Sequence, residues 1–501
     1  MDELMKEPFG LLCRLRSDRN MWLRSFVREL IVPQIAAVYS DGVRDDFEDH
    51  DYLSYLVQSL PNLRLVRLMH PLSFNSQYMH SMRLHPNKPE LHLLAVQGWE
   101  PTPSETLHCV TTIKVTLFRE LRHDVPGGVH PYMQAFRDLF FSCPNLKSCS
   151  LTMMGPAPPP QQLTRIELTG QEIFPPLQHL ALNGHSIHPD EWSNWRTQFP
   201  WSSLTSLEIG PQPHYVEDFL GQLSGVTSQL SSLEKFKISV WAGQEEEVAE
   251  DRLKRFLLSI DSLQTLEITN YDCTVETVAA HKKLRHLVVR LSENWDSQES
   301  YDPLSSSELF HLDRNCPQLE TLEIYFERVG DDGNQWNYDA LRALAISFQN
   351  LRNLTLHVRI GSVRDHGQPL EPKLNYESAR EIGAKFFKLR KDASEFRHRQ
   401  SKEPGAPKDR FEKLTLYTGP GLASSTAFIE NKKVEEFNKM TLELTNPHDD
   451  IDDLSLVHPE RELVEAQYLK DHPDGTAKRV RLAIQVGEDG ALHENDVPPV
   501  E

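Results

Sequence analysis

The sequence predicts an α/β fold: a leucine-rich-repeat solenoid, or horseshoe, with a parallel sheet on its concave wall and helices on its convex side. Three observations point to it. The spacing L-x-x-L-x-L occurs at LQHLAL (177–182), LTSLEI (204–209), LEKFKI (233–238), LQTLEI (263–268), LRHLVV (284–289), LETLEI (319–324) and LRNLTL (351–356). The first positions of these copies lie 27, 29, 30, 21, 35 and 32 residues apart, a period that belongs to stacked repeats. Between copies lie segments with apolar residues at helical spacing, at 132–143, 246–260 and 338–348.

The elements follow in order. Residues 1–26 precede the first copy and read as an N-terminal cap. The solenoid runs over 27–360, opening with the looser copies VRELIV (27–32), LRLVRL (63–68), LHLLAV (91–96), VTTIKV (110–115), LKSCSL (146–151) and LTRIEL (163–168). Each copy is one short strand whose first, fourth and sixth residues face the core, while the residues between them face solvent. One coil cannot bury its own apolar edge, so stability accumulates over neighbour interfaces. The stretch NCPQLETLEIYFERVGDDG (315–333) shows the plan. Cys316-Pro317 ends a helix, because proline disfavours helical geometry in the residue before it. The strand follows, and the Gly and Asp run turns the chain away. SCPNLKSCSL (142–151) repeats that plan.

Residues 361–410 read as a charged helical insertion. Within 375–402, Ile382, Phe386, Leu389, Ala393 and Phe396 fall on one apolar stripe. From 385 to 402, seven Lys/Arg face two acidic residues, so the expected element is a convex helix with a solvated basic flank. A docking helix or an import signal around KLRK is the sharper alternative. Residues 411–484, with the copies FEKLTL (411–416) and FNKMTL (437–442), are expected to be terminal repeats and a C-terminal cap, KRVRLAI (478–484) adding a closing edge strand. Residues 485–501 read as an acidic disordered tail.

Composition excludes several functions. A net charge of −20 over 501 residues argues against general nucleic-acid binding, since a phosphate backbone selects the opposite sign. There is no apolar run long enough to span a bilayer and no secretory signal pattern, so no membrane partner is expected. The six cysteines form no C-x-x-C pair and read as packed, reduced thiols. There is no phosphate-binding glycine loop, no G-x-S-x-G elbow and no H-E-x-x-H helix, so no catalytic residue, cofactor or metal is expected. His179, His185 and His188 straddle a strand and a turn, PAPPP (156–160) reads as a stiff loop, and HDDIDD (448–453) lacks the ligand spacing of a calcium loop. The sequon at Asn353 falls within a predicted strand.

CPQLETLEI, followed by VGDD and ALRALAISFQNLRNLTL, resembles the cysteine-containing leucine-rich repeats of F-box proteins, with the ragged repeat lengths of the large fungal group. The resemblance covers roughly 27–444. It implies an intracellular, non-enzymatic protein, cytoplasmic or nuclear, whose repeats hold a substrate for an SCF-type ubiquitin ligase. The chain departs from that family where an F-box would stand: residues 1–26 show no Leu-Pro-x-Glu opening and read as a cap or as the segment that follows an F-box. The alternative is a ligase-independent leucine-rich-repeat scaffold.

The solvent-facing strand positions nominate the contact residues. They are Ser206, Glu208, Lys235, Lys237, Thr265, Glu267, His286, Arg290, Thr321, Glu323, Tyr325, Asn353 and His357. Acidic and basic residues alternate, so no single-sign field is expected, and a folded protein or peptide of mixed charge is the natural partner. Trp241, Tyr271, Trp295 and Trp336 follow their strands and are expected along one rim, where exposed aromatics make interface hot spots. Trp192 and Trp195 are expected to be convex-side packing. Leu322 is expected in the core, with Glu323 beside it free in solvent.

Overall fold

The computed structural model describes residues 21–32, 50–68, 76–96, 106–118, 131–154, 166, 168–185, 187, 189–212, 216–240, 246–269, 273–290, 304–326, 328–329, 335–358, 376–400, 410–418, 440–445, 455–457, 484–486 and 492–494. The chain folds as two compact units, residues 1–237 and 238–501.

In the first unit the elements are α1 (Met21–Arg24), β1 (Glu29–Val32), α2 (His50–Ser59), β2 (Leu65–Leu68), α3 (Ser76–Leu84), β3 (Glu90–Val96), β4 (Val110–Phe118), α4 (Pro131–Ser142), β5 (Ser148–Met154), β6 (His179–Asn183), α5 (Pro189–Gln198), β7 (Ser206–Gln212), α6 (Val216–Leu223) and the start of β8 (Lys235–Val240). Strands β1 to β7 pair in parallel, each with the next. The register sets Cys149 beside Leu180 and Leu180 beside Leu207, and all three are buried. The fourth and sixth residues of each copy therefore build the core side of the ladder, as period-two alternation requires.

The turn into each strand is equally regular. The residue three before the first position of each coil is buried in Leu60, His85, Leu107, Cys143, Phe174, Trp201 and Leu230, that first position being Lys88 after His85 and Val110 after Leu107. Its carbonyl accepts the amide three residues on, as from Leu146 to Cys143 (3.1 Å), except at Leu177, whose amide donates to Pro175 O (2.8 Å). Where the turn reads Pro-Asn, the asparagine reaches the previous coil: Asn62 Nδ2 donates to Ser25 O, Asn87 to Pro61 O and Asn145 to His108 O, at 2.6 to 2.8 Å. These bonds give carbonyls of the previous turn a donor, Ser25 O accepting from Arg28 as well.

One expected copy adds no strand between β5 and β6. Ile166 and Leu168, within LTRIEL, are not in a strand, and β5 pairs directly with β6. The chain is held there as a locked turn. The Glu172 carboxylate accepts from the amides of Thr169 and Gly170 and from Arg137 of α4, while Gln198 of α5 donates to Gly170 O at 2.7 Å. Gly170 takes φ +84°, which favours glycine. On the helical side Phe136, Phe140, Phe174, Trp195, Phe199 and Trp201 form a continuous ring cluster with centroids 4.5 to 6.1 Å apart. The expected packing of Trp195 is borne out by its burial.

The second unit continues with α7 (Glu246–Leu258), β9 (Thr265–Thr269), α8 (Val275–Ala279), β10 (His286–Arg290), α9 (Ser306–Asn315), β11 (Thr321–Phe326), β12 (Arg328–Val329), β13 (Gln335–Trp336), α10 (Tyr338–Ile346), β14 (Asn353–Val358), α11 (Tyr376–Gln400), β15 (Lys413–Thr418), β16 (Met440–Thr445), β17 (Ser455–Val457), β18 (Ile484–Val486) and β19 (Leu492–Glu494). Strands β9, β10, β11, β14 and β15 pair in parallel in that order. Leu266, Leu287, Leu322, Leu354 and Leu414 share one register line and are all buried. Helix α9 opens with a capping box between Ser305 and Glu308 and ends at Cys316. Each unit thus stacks strand, turn and helix in parallel coils, the plan of an α/β leucine-rich-repeat solenoid.

Three expectations are corrected in this unit. FNKMTL supplies β16, but it runs antiparallel to β15, and β17 is antiparallel to β16. The pattern specifies which residues turn inward and says nothing about strand direction. Ile484–Val486 pairs with Leu492–Glu494 in a separate hairpin instead of closing the ladder, so strand reaches into the stretch read as a disordered tail. Helix α11 is present, but its buried stripe is Ala379, Ile382, Phe386, Phe387 and Arg390, while Phe396 is 61% exposed. Arg390 Nη2 donates to the carbonyls of Phe348 (3.3 Å) and Leu351 (3.2 Å), and its guanidinium lies 4.7 Å from the Phe411 ring centre. A buried cation with this many partners binds the helix to the strand turn it covers.

Candidate functional site

Four of the residues nominated for contact, Arg290, Glu323, Tyr325 and His357, come together in the second unit. On β11 the alternation is strict, with Leu322, Ile324 and Phe326 buried and Thr321, Glu323 and Tyr325 turned to the opposite face. Parallel register sets Glu323 beside Val288 of β10 and Thr355 of β14. Both neighbours are short, which leaves room for larger side chains one step further along their strands to lean back over them. Arg290 does so from β10, donating through Nε to Glu323 Oε1 and through Nη2 to Oε2 (3.1 Å). His357 does so from β14, its Nε2 lying 2.6 Å from Glu323 Oε1.

The rings complete the site. Tyr325 stacks on His357 with centroids 6.0 Å apart, and Tyr417 of β15 meets the other side of His357 at 5.1 Å, edge-on. Arg290, Tyr325, His357 and Tyr417 thus run side by side above Glu323. Burial by itself would push the Glu323 carboxyl up; the hydrogen bonds from His357 and Arg290 and the Arg290 charge outweigh it and hold it at about 2. The bond to Glu323, partly offset by burial, raises Arg290 above its ordinary value, and the Glu267 charge adds to it. The result is a fixed carboxylate, a two-pronged guanidinium and three planar rings on a rigid sheet.

Other nominated residues fall into place or out of it. Glu267 and His286 are half-buried on the same face of β9 and β10. Lys235 and Lys237 belong to the first unit, where Lys237 Nζ pairs with Glu208 at 3.2 Å. Trp241, Tyr271 and Trp295 lie outside the described residues, as do His188 and the segments PAPPP and HDDIDD. Trp336 is corrected: it is 5% exposed and stacks on Phe326 at 6.2 Å, because the β12–β13 hairpin folds it onto the end of β11. Glu323 is corrected too, since its side chain is 13% exposed and doubly bound instead of free. Tyr417 was missed, although its place one residue after FEKLTL matches that of Tyr325 after LETLEI and His357 after LRNLTL.

Among the described residues no group of three or more His, Cys, Asp and Glu side chains could hold a metal ion, and no helix is long and apolar enough to cross a membrane. No protein-family profile matches the chain, and no curated protein does. Among solved structures the chain is similar to the leucine-rich-repeat-containing protein LegL7 from Legionella pneumophila, at 13% identity and a TM-score of 0.35, over 73% of this chain and 98% of that one. The fold assignment rests on strand register.

Proposed function

We propose that this chain is a non-catalytic protein-binding scaffold whose contact face is the outward surface of β9, β10, β11, β14 and β15. The observation that carries this reading is the Arg290–Glu323–His357 cluster flanked by Tyr325 and Tyr417. Side chains already fixed by one another lose little freedom on binding, and Tyr and Arg are the residues on which interface energy concentrates. The partner is a folded protein or peptide of mixed charge, because carboxylates and cations alternate across the face. Replacing Tyr325 and Tyr417 together by Ala should abolish retention of the partner in quantitative affinity purification. A variant at Ser150, on the outward side of β5, should retain it. Equal retention by both variants would contradict the assignment.

The finer reading is the substrate-recognition part of an SCF-type ubiquitin-ligase receptor, in the cytoplasm or nucleus. It is supported by Cys143 and Cys316, each buried at the turn of a Cys-Pro-x-Leu coil, the position that the resemblance to cysteine-containing repeats implies. Co-purification with the ligase linker subunit from native extract tests it. Absence of that subunit, with the contact-face partner still bound, would leave the ligase-independent scaffold.

A further inference from the structure

Among the buried turn residues, two histidines occupy equivalent places and are treated differently. His85 has both ring nitrogens engaged. Nδ1 accepts from the amide of Asn87 (3.1 Å), so Nε2 carries the proton and donates to Leu60 O (2.9 Å). His281 stands at the same place in the coil of α8 and β10, followed by Lys282-Lys283 in place of Pro-Asn. It is 1% exposed, and neither of its ring nitrogens has a hydrogen-bond partner among the described residues. The carbonyl of Ile260, counterpart of Leu60, acts on the ring without closing a bond. The same coil is short, with Leu263 and Leu284 only 21 positions apart and a helix of only five residues.

We propose that this coil is an acid-sensitive weak point of the second unit, opened when His281 takes up a proton. A cation there would be almost wholly removed from water, and such a charge is tolerated only when paired. From the turn after α7, Asp261 is the charge that favours the protonated ring. From α9 and its cap the titratable groups are Asp313, whose carboxylate accepts from the Phe348 amide, and Cys316, whose thiol donates to the carbonyls of Val278 and His281. On its own element Glu276, Lys282 and Lys283 are exposed to solvent. None of these is an engaged partner for the imidazolium, so its release is the opening of the turn.

The carbonyl of His281 receives both the Leu284 amide (3.0 Å) and the Cys316 thiol (3.6 Å). Moving it loosens the lead-in to β10, the strand that carries Arg290. Mild acid would then weaken the Arg290–Glu323 clamp, a consequence that rests on the contact face proposed above. The opening itself does not depend on that reading.

Burial lowers His281 from its ordinary 6.5 to about 4. The folded value is depressed, so the open form binds the proton first, and stability is lost as pH falls from 6.5 toward 4. Amide hydrogen exchange on the full chain, corrected for intrinsic rates, should show the opening constant of segment 278–290 rising about twentyfold between pH 7 and pH 5. Segment 204–212, which has no histidine, should stay level. His281→Leu, which installs the residue found at Leu60 and Leu230, should remove the pH dependence. An unchanged pH dependence in that variant, or none in the wild type, overturns the proposal. Should the variant fail to fold, the ring titration of His281 by NMR in the wild type decides: a midpoint below 5 supports the proposal, and one near 6.5 overturns it. No partner enters either measurement, so the loss of the binding face would leave this result standing.

Discussion

In the first unit Glu29 and Arg67 meet across β1 and β2 at 2.7 Å with side chains 38% and 41% exposed. In the second, Glu323 is bound by Arg290 and His357 at once and is mostly covered. Both sets sit on the outward face of the same kind of parallel ladder, with leucines in register behind them. The difference lies in the neighbours. The outward positions Ser148, Ser150, Thr152 and Ala181 of the first unit are short, uncharged and adjoin one another, while its Glu29–Arg67 and Lys147–Glu90 pairs stay in water. In the second unit, short residues at 288 and 355 alternate with long ones at 290 and 357, and the long ones close over Glu323. A repeat keeps its inward leucines and leaves its outward positions to make either a solvated wall or an interlocked patch.

The largest test of that comparison is that the inward side should not distinguish the units. Leu207 and Leu322 are both fully buried at the same place in their copies. Leu207→Ala and Leu322→Ala should each cost about 2–5 kcal/mol in denaturant unfolding. A cost below about 1 kcal/mol for either would show that its register is wrong.

The outward side should separate the units. Glu323→Gln should cost about 1–3 kcal/mol, because the amide removes the charge that both partners bind and turns one acceptor oxygen into a donor facing Arg290. The sign with pH follows from the depressed carboxyl: its contribution is complete above 4.5 and is lost as pH falls from 4.5 toward about 2. Wild type and Glu323→Gln should therefore converge in stability at low pH, and parallel curves would contradict the pairing. Smallest of all, Glu29→Gln should change stability by no more than about 1 kcal/mol, as expected of a solvated pair, and less in high salt.

These contrasts also mark how far the sequence could be read. The inward leucines were legible because burial on one face imposes a period, and Leu266, Leu322 and Leu354 fell on their predicted line. LTRIEL carried the same letters, but the Glu172 lock and Gly170 hold its end as a turn, and the pattern has no term for such a contact. The helix 376–400 was legible as amphipathic. Its buried edge was displaced because a charged residue, Arg390, takes a core place that a hydrophobic stripe assigns elsewhere. Of the candidate site, the outward residues were legible one strand at a time. Their convergence was not, since Glu323 reaches Arg290 and His357 diagonally across strands that lie 33 and 34 residues away in sequence.

The central claim is that the interlocked patch, and not the solvated wall, is the contact face. Isothermal titration of the purified partner against wild type, Tyr325→Ala/Tyr417→Ala and Ser150→Arg tests it most directly, with thermal melts run alongside. The account predicts an affinity at least about tenfold weaker for the double tyrosine variant at an unchanged midpoint, and no loss for Ser150→Arg. Full affinity in the tyrosine variant, or its loss in Ser150→Arg alone, would contradict it.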